Sequence, residues 1–127
     1  MDEALKKKNL IVQLTFEFAL MSVKFCALLD EHKKWSLSNQ LLRASLSIGA
    51  NVKEAQNAES KADFIHKMKI AAKEADEVEF YIDVCNSSEL LPNCDELAEK
   101  ITSICKVLNK IISSSKQISP TNQPLVN

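Results

Sequence analysis

Apolar side chains recur at alternating steps of three and four residues in four separate stretches of the chain. The four sets are Ile11, Leu14, Phe18, Met21, Phe25 and Leu28; Leu37, Leu41, Ala44, Ile48, Asn51, Ala55 and Ala58; Phe64, Met68, Ala71, Ala75, Val78, Ile82 and Cys85; and Leu97, Ile101, Ile104, Leu108 and Ile111. This spacing keeps side chains on one face of an α-helix, whereas a strand would turn them to alternate sides. The pattern predicts an all-α fold of four helices packed at shallow angles in a bundle.

Polar links between the four stretches predict where the helices begin and end. We expect helices at about residues 8–32, 37–59, 61–87 and 94–115, followed by a flexible C-terminal tail over residues 118–127. Candidate N-terminal caps are Ser36 or Ser38 for the second helix, Ser60 with Asp63 for the third, and Asn93 with Glu96 for the fourth. Because the links are short, consecutive helices should be antiparallel neighbours, which gives one up-down-up-down bundle over residues 1–117.

The composition supports a helical protein and argues against a dedicated nucleic-acid binder. Of 127 residues, 46% are hydrophobic and 26% are charged, with one Gly and three Pro, so the residues that break helices are scarce. The net charge is −1, whereas proteins that bind nucleic acids usually carry a basic excess that neutralises phosphates. The basic residues that remain candidates for a nucleic-acid contact are Lys6, Lys7, Lys8, Lys33 and Lys34.

The cysteine and histidine residues predict neither a metal site nor a disulfide framework. Cys26, Cys85, Cys94 and Cys105 are scattered without a CxxC pair, and His32 and His66 are not placed to complete a zinc site. We expect no metal, no cofactor and reduced thiols, as in a cytoplasmic protein. The N-terminus lacks the pattern of a signal peptide, and the uninterrupted apolar runs are too short to cross a bilayer, so we expect no membrane partner.

The first two helices carry more apolar residues than a single buried stripe requires. The additional positions that we consider as a possible oligomer interface are Val12, Phe16, Val23, Leu42 and Leu46. They either widen the core within one subunit or form a contact between subunits. We favour the second interpretation, because an isolated bundle normally carries charge on those faces.

A set of polar residues follows helical spacing beside the apolar stripe of the second helix. Arg43, Ser47, Asn51 and Glu54 belong to this set, with Glu77 of the third helix as a further partner. Asn51 falls on the stripe itself, where an unpartnered amide would destabilise the bundle by about 1–3 kcal/mol. We interpret the set as a structural polar network or interface rather than a ligand site. No catalytic motif accompanies it, so we expect no enzyme activity, no catalytic residues and no small-molecule substrate.

Residues 40–55, QLLRASLSIGANVKEA, resemble the signature of the four-helix-bundle proteins encoded in intervening sequences of bacterial 23S rRNA genes. That family shows the pattern Q-x-x-R-A-x-x-S-I-x-x-N-x-x-E, and the likeness continues through Ser60, Phe64, Ala71 and Glu77 over about residues 8–112. The family usually has Gly after the last Glu, where Ala55 stands here. The resemblance implies a left-handed bundle that assembles into a ring, with a pentamer as precedent. It also implies a likeness in fold to the accessory proteins of diversity-generating retroelements, which bind a reverse transcriptase and nucleic acid.

Two functional hypotheses follow from these observations. The first is a non-enzymatic homo-oligomeric bundle that acts as a binding or scaffolding module. The alternative is an accessory protein that binds RNA or DNA, in which an oligomer gathers the Lys6–Lys8 cluster with Lys33 and Lys34 into one basic surface. The near-neutral charge favours the first hypothesis.

Overall fold

The computed structural model describes the backbone of residues 3–117 and the side chains of residues 10–116. The helices are α1, Glu3–Glu31; α2, Trp35–Ala55; α3, Lys61–Ser87; and α4, Asp95–Gln117. Both α1 and α3 pack against α2 and α4, so the four helices surround a common core in an up-down-up-down order. The predicted all-α four-helix bundle is therefore confirmed, while its left-handed turn stays a prediction. The predicted tail, residues 118–127, lies outside the described residues.

The link between α1 and α2 is shorter than the sequence indicates. Helix α1 begins at Glu3, ahead of the predicted residue 8, and ends at Glu31; α2 then begins at Trp35. Lys33 has a φ of 61°, in the left-handed region, and the following Lys34 N–H donates to the Leu29 carbonyl at 2.9 Å. This pattern resembles the helix ends that usually place Gly in the left-handed position. The link reverses the chain within three residues.

The predicted cap of α2 is wrong, and that of α3 is confirmed. Lys34 is the N-cap residue of α2, so Ser36 and Ser38 lie inside the helix instead of preceding it. At α3, the Ser60 hydroxyl accepts a hydrogen bond from the Asp63 N–H at 3.0 Å. The Asp63 carboxylate accepts in return from the Glu59 N–H at 3.2 Å. Helix α2 ends at Ala55 rather than at residue 59. The N–H groups of Gln56 and Asn57 donate to the carbonyls three residues earlier, those of Lys53 and Glu54.

The start of α4 is organised around Cys94, not Asn93. The Cys94 N–H donates to Asn86 Oδ1 at 2.8 Å, and the Cys94 carbonyl accepts from the Ala98 N–H at 3.0 Å. Helix α4 then begins at Asp95, whose acidic side chain together with Glu96 suits the positive end of the helix dipole. The loop after α3 is thus fastened to the beginning of α4 by the Asn86 side chain.

The core follows the predicted stripes on α3 and α4 and departs from them on α1 and α2. Each predicted position on α3 and α4 is buried. On α1, Leu14, Met21 and Leu28 are half-buried and lie at the margin of the core. The buried positions that the sequence pattern did not include are Thr15, Ser22, Cys26 and Leu29 on α1 and Ser38, Ser45 and Val52 on α2.

Helices α1 and α2 meet along a seam of small side chains. Four hydroxyl residues, Thr15, Ser22, Ser38 and Ser45, are buried on these two helices. Ser38 Oγ donates to the Cys26 carbonyl at 3.1 Å, and Cys26 Sγ donates to the Ser38 carbonyl at 3.5 Å. The hydroxyls of Ser22 and Ser45 are buried without a hydrogen-bond partner among the described residues.

Farther along the same seam, a Cβ placed on Gly49 would lie 3.6 Å from the Thr15 carbonyl oxygen. Thr15 itself is satisfied within α1, because its hydroxyl donates to the Ile11 carbonyl at 2.8 Å. The Thr15–Gly49 and Cys26–Ser38 contacts together fix the antiparallel register of α1 and α2.

By length and composition alone, the stretch Leu10–Glu31 of α1 is apolar enough to cross a membrane. In the bundle this stretch contributes Ile11, Phe18 and Leu29 to the core, and 33% of it is buried. The core helix of a soluble protein passes the same test of length and composition.

Candidate functional site

An apolar face covers the outside of the α1–α2 pair. The register fixed by Thr15–Gly49 and Cys26–Ser38 places the middle of α1 beside the middle of α2. We define the α1/α2 apolar face as Val12, Phe16, Val23, Leu42 and Leu46. Val12 and Leu42 are partly buried against the core, whereas Phe16, Val23 and Leu46 are 63%, 50% and 46% exposed. The edge of the face therefore widens the core, as one of the two interpretations from the sequence expected, and its centre is open to solvent; a contact between subunits stays a prediction.

Helices α2 and α3 are joined by a surface ion-pair network centred on Arg43. The guanidinium donates through Nη2 to Glu77 Oε2 and lies 3.5 Å through Nη1 from Glu74 Oε1. The Tyr81 hydroxyl lies 2.8 Å from both Glu77 Oε2 and Gln40 Oε1, and its single hydrogen serves one acceptor at a time. The structure thus brings together two predicted residues, Arg43 and Glu77.

Charge and hydrogen bonding shift the pKa values within this network. The pKa of Arg43 is raised, chiefly by the nearby carboxylates of Glu77 and Glu74. The pKa of Tyr81 is also raised, first by its hydrogen bond to the Glu77 carboxylate and then by burial. At neutral pH the tyrosine is a neutral hydrogen-bond donor and the arginine is a cation held by two anions. Such a group links the two helices through charge and hydrogen bonding.

The remaining predicted polar residues form two further, separate groups. Asn51 Nδ2 donates to the Ser47 carbonyl at 2.9 Å and lies 3.2 Å from Ser47 Oγ, within one turn of α2. Glu54 pairs with Lys67 of α3 at 2.8 Å. The prediction that Asn51 lies on the buried stripe is wrong. Asn51 is half-buried at the edge, because the helix turns Val52 into the core instead.

Gln40, Glu74, Lys67 and Tyr81 complete these groups, and the sequence analysis did not assign them. A signal for Tyr81 was present, because it follows Glu77 by four residues and the two side chains are neighbours on a helix. The cross-helix partners Gln40 and Lys67 could be found only once the register of α2 against α3 was known.

The two basic clusters lie at opposite ends of α1. Lys6, Lys7 and Lys8 belong to its first turns, where the backbone is described and the side chains lie outside the described part. Lys33 and Lys34 follow its last turn. At 1.5 Å per residue, about 25 residues of helix separate the clusters by roughly 38 Å. One subunit therefore does not combine them into a single basic patch.

One group of potential metal ligands lies across α3 and α4. Donor atoms of Asp76, Glu79 and Cys105 all lie within 4.8 Å of one another. Burial raises the pKa of the Cys105 thiol to about 12, with the carboxylates of Glu79 and Asp76 adding to the effect. The thiol is therefore protonated at neutral pH, and a metal ion would first have to displace that proton. Sequence spacing did not indicate this grouping, because Cys105 lies on a different helix from the two carboxylates.

Comparison with known proteins identifies the family. The family model for 23S rRNA-intervening sequence proteins matches residues 7–110. The chain belongs to this family. A similar solved structure is a protein of unknown function from the S23 ribosomal protein family of Bacteroides thetaiotaomicron VPI-5482, with 37% sequence identity and a TM-score of 0.79. The match covers 84% of this chain and 98% of that protein. A search of curated proteins gives no match.

Membership of the 23S rRNA-intervening sequence family confirms the resemblance inferred from residues 40–55. On the structure, that stretch forms all of α2 after its first five residues. Its polar members Arg43 and Glu54 point toward α3, where they pair with Glu77 and Lys67. Its apolar members Leu42 and Leu46 lie on the α1 side, on the α1/α2 apolar face. Helix α2 of this family member thus carries ion-paired residues toward α3 and the apolar residues Leu42 and Leu46 on its α1 side.

Proposed function

We propose that the protein is a non-enzymatic homo-oligomeric bundle that acts as a binding or scaffolding module, with the α1/α2 apolar face as a subunit contact. The observation that carries the proposal is the exposure of Phe16, Val23 and Leu46 on one face. Contiguous apolar surface of this kind is typical of interaction sites. The ion-paired, solvent-facing character of the Arg43 network supports a structural role in place of catalysis.

The free energy of association indicates how many apolar residues the subunit contact must bury. Burying three half-exposed side chains contributes roughly 2–4 kcal/mol. The loss of translational and rotational freedom on association opposes this with about 4–15 kcal/mol. A stable contact therefore has to include neighbouring apolar residues, and Leu20 and Trp35, both 57% exposed, are available on α1 and at the start of α2.

A ring requires two different complementary faces, whereas a two-fold dimer uses one face twice. A second exposed apolar pair, Phe80 and Val84, lies on α3. We propose that the α1/α2 apolar face of one subunit contacts the Phe80 side of the next, which would close a ring such as the pentamer that the resemblance implies. The ring and the two-fold dimer predict different assembly masses when the two faces are mutated separately.

The first experiment is size-exclusion chromatography with light scattering on wild-type protein, Phe16→Glu and Thr102→Glu. Thr102 is exposed on α4, so its substitution makes a charged residue from an uncharged one away from the proposed contact. We expect an oligomer for the wild type and Thr102→Glu and a smaller species for Phe16→Glu. A monomeric wild type, or an unchanged mass for Phe16→Glu, would refute the proposed contact.

Phe80→Glu separates the ring from the two-fold dimer. In a ring, each of Phe16→Glu and Phe80→Glu dissociates the assembly when alone. Mixing the two variants then restores one intact contact, between the unmodified Phe16 face of one and the unmodified Phe80 face of the other, and gives a heterodimer. In a two-fold dimer through Phe16, Phe80→Glu has no effect and mixing restores nothing.

The same elution profile tests the alternative of nucleic-acid binding. We propose a protein-like ratio of absorbance at 260 and 280 nm, because the Lys6–Lys8 cluster and the Lys33–Lys34 pair lie at opposite ends of each bundle. An excess at 260 nm that disappears as salt is raised would instead favour an RNA or DNA complex.

All four cysteines are free thiols, which supports a reducing compartment such as the cytoplasm.

A further inference from the structure

Side chains with two kinds of metal-binding atom converge where α3 packs against α4. Asp76 and Glu79 are three residues apart on α3, so their carboxylates lie on the same side of that helix. Cys105, near the middle of α4, brings its sulfur to them. One donor atom from each of the three residues lies within 4.8 Å of the other two. Two helices therefore bring two carboxylates and one thiol together.

Neither carboxylate of this group has a cationic partner among the side chains of residues 10–116. Each ion pair in that part of the chain joins other residues. The pKa of the Cys105 thiol is raised to about 12, first by burial and then by the charges of Glu79 and Asp76. Negative charge without a cation beside it has this effect on a thiol. The missing counter-charge therefore points to a cation.

We propose that Asp76, Glu79 and Cys105 bind one zinc ion, which joins α3 to α4. The convergence of the three donor atoms carries this assignment, and the two carboxylates without a cationic partner support it. The ion would fasten the two helices near their middle, away from the α1/α2 apolar face. The site is therefore independent of the proposed subunit contact.

The mixed donor set favours zinc over the other common divalent cations. Magnesium and calcium prefer sites built from oxygen ligands alone, whereas thiolate sulfur selects zinc and softer ions. Cysteine sulfur and carboxylate oxygen are both ordinary zinc ligands. Three protein donors leave one position of a four-coordinate ion for a water molecule. Because Asp76 is exposed, that position is open to solvent on the Asp76 side of the site.

The distances between the donor atoms suit a zinc ion after small side-chain movements. In a tetrahedral site with Zn–S of about 2.3 Å and Zn–O of about 2.1 Å, neighbouring donor atoms are roughly 3.4–3.6 Å apart. Donor atoms that lie within 4.8 Å of one another would therefore approach by at most about 1.4 Å. Asp76 is exposed and Glu79 is half-buried, so rotation of their side chains supplies this movement without a shift of either helix.

Zinc binding at this site exchanges a proton for the metal. Because only the thiolate is a zinc ligand, the S–H bond of Cys105 breaks and its proton passes to solvent. The electron pair left on the sulfur forms the Zn–S bond, and no group is oxidised or reduced. The three side chains carry a charge of −2 before binding, as two carboxylates and one thiol. With thiolate and Zn²⁺ the site carries −1, so binding reduces the excess negative charge between the helices.

The test is titration of the whole untagged chain with Co²⁺, a spectroscopic substitute for Zn²⁺, while a phosphine keeps the cysteines reduced. A bond between Co²⁺ and a thiolate produces a charge-transfer band in the near ultraviolet. We expect this band to saturate with one Co²⁺ per chain and to disappear when Zn²⁺ displaces the cobalt. Thermal unfolding should move to higher temperature as Zn²⁺ is added, because the ion binds the folded chain in preference to the unfolded one.

Three variants identify the ligands. Cys105→Ser should abolish the band, and Glu79→Gln should weaken Co²⁺ binding by on the order of tenfold or more, a loss seen even when a residue that only supports a ligand is removed. Glu89→Gln removes an exposed carboxylate from the α3–α4 loop and should change nothing.

Alkylation of the wild-type thiols followed by peptide mapping gives a second measurement that needs no variant. Bound Zn²⁺ should slow the alkylation of Cys105 and leave the rates of the other three cysteines unchanged. The absence of a band at every Co²⁺ concentration, a band that persists in Cys105→Ser, equal weakening by Glu79→Gln and Glu89→Gln, or protection of a different cysteine would each overturn the assignment.

Discussion

The single glycine of the chain offers a direct test of how closely α1 and α2 pack. Gly49 lies in the interior of α2, where Gly is about 1 kcal/mol less favourable than Ala. Its φ is not positive, so an L side chain fits the backbone there. A Cβ would lie 3.6–3.7 Å from Thr15 O, Cβ and Oγ1, which is ordinary van der Waals distance. Three such contacts add about 0.3–0.6 kcal/mol.

Gly49→Ala should therefore stabilise the protein by about 1–1.5 kcal/mol. For a chain of this length, 1 kcal/mol corresponds to roughly 4 °C in the unfolding midpoint, so we expect a rise of about 4–6 °C in a calorimetric scan. Ala50→Gly is the matched control, because Ala50 is the adjacent, exposed position of the same helix. It should lower stability by about 1 kcal/mol through helix propensity alone.

The two variants together separate propensity from packing. If Gly49→Ala gains more than Ala50→Gly loses, the difference is the contact with Thr15. If Gly49→Ala instead lowers the midpoint while Ala50→Gly behaves as expected, α1 and α2 pack more closely than the structure shows and the reasoning is refuted. Scans at two protein concentrations distinguish an effect on α1–α2 packing from an effect on a contact between subunits. Only the second makes the unfolding midpoint depend on protein concentration.

Three further variants test polar groups on α1, α2 and α4. Ser45→Ala should stabilise the protein by about 0.5–1 kcal/mol in urea titration, because it removes a buried hydroxyl without a partner among the described residues. Ser38→Ala should destabilise it by about 1 kcal/mol, because it removes the hydrogen bond to the Cys26 carbonyl. Equal effects of the two substitutions would contradict this reasoning. The Lys100 hydrogen bond lowers the pKa of Glu17 below 4.5, so this pair stabilises the fold above that pH and loses its effect as the pH falls below it. Lys100→Met should therefore lower the urea midpoint at pH 7 and change it less at pH 3. An equal change at both pH values would refute the stabilising role of the Glu17–Lys100 pair.

The buried stripes of α3 and α4 could be read from the sequence because their inward positions are occupied by apolar residues throughout. On α1 the same reading chose Leu14, Met21 and Leu28, whereas the helix buries Thr15, Ser22 and Leu29. Both sets have helical spacing, and larger apolar residues were preferred over small hydroxyls. The hydroxyls are tolerated because they are small and because Thr15 bonds within its own helix.

The candidate site was predictable in part for a similar reason. Arg43 and Glu77 were assigned to one polar set from their spacing beside the apolar stripe, and the structure pairs them. Asn51 was assigned to the buried stripe, whereas the next residue, Val52, is the one that enters the core. Spacing alone does not show which of the two side chains faces inward. The position of Cys94 before α4 depends on a loop that the Asn86 side chain fastens, and sequence spacing does not reveal that contact.

The left-handed residue at Lys33 bears on how an oligomer of this chain could arise. A residue other than Gly in that conformation stores roughly 1 kcal/mol of strain, and the three-residue link leaves little freedom to relax it. Straightening the link would release the strain and join α1 to α2 in one long rod, so that α1 packs on a second chain. Short strained hinges favour such exchange between chains. An assembly that persists in Phe16→Glu would therefore point to exchanged helices, held together by the native core rather than by the α1/α2 apolar face.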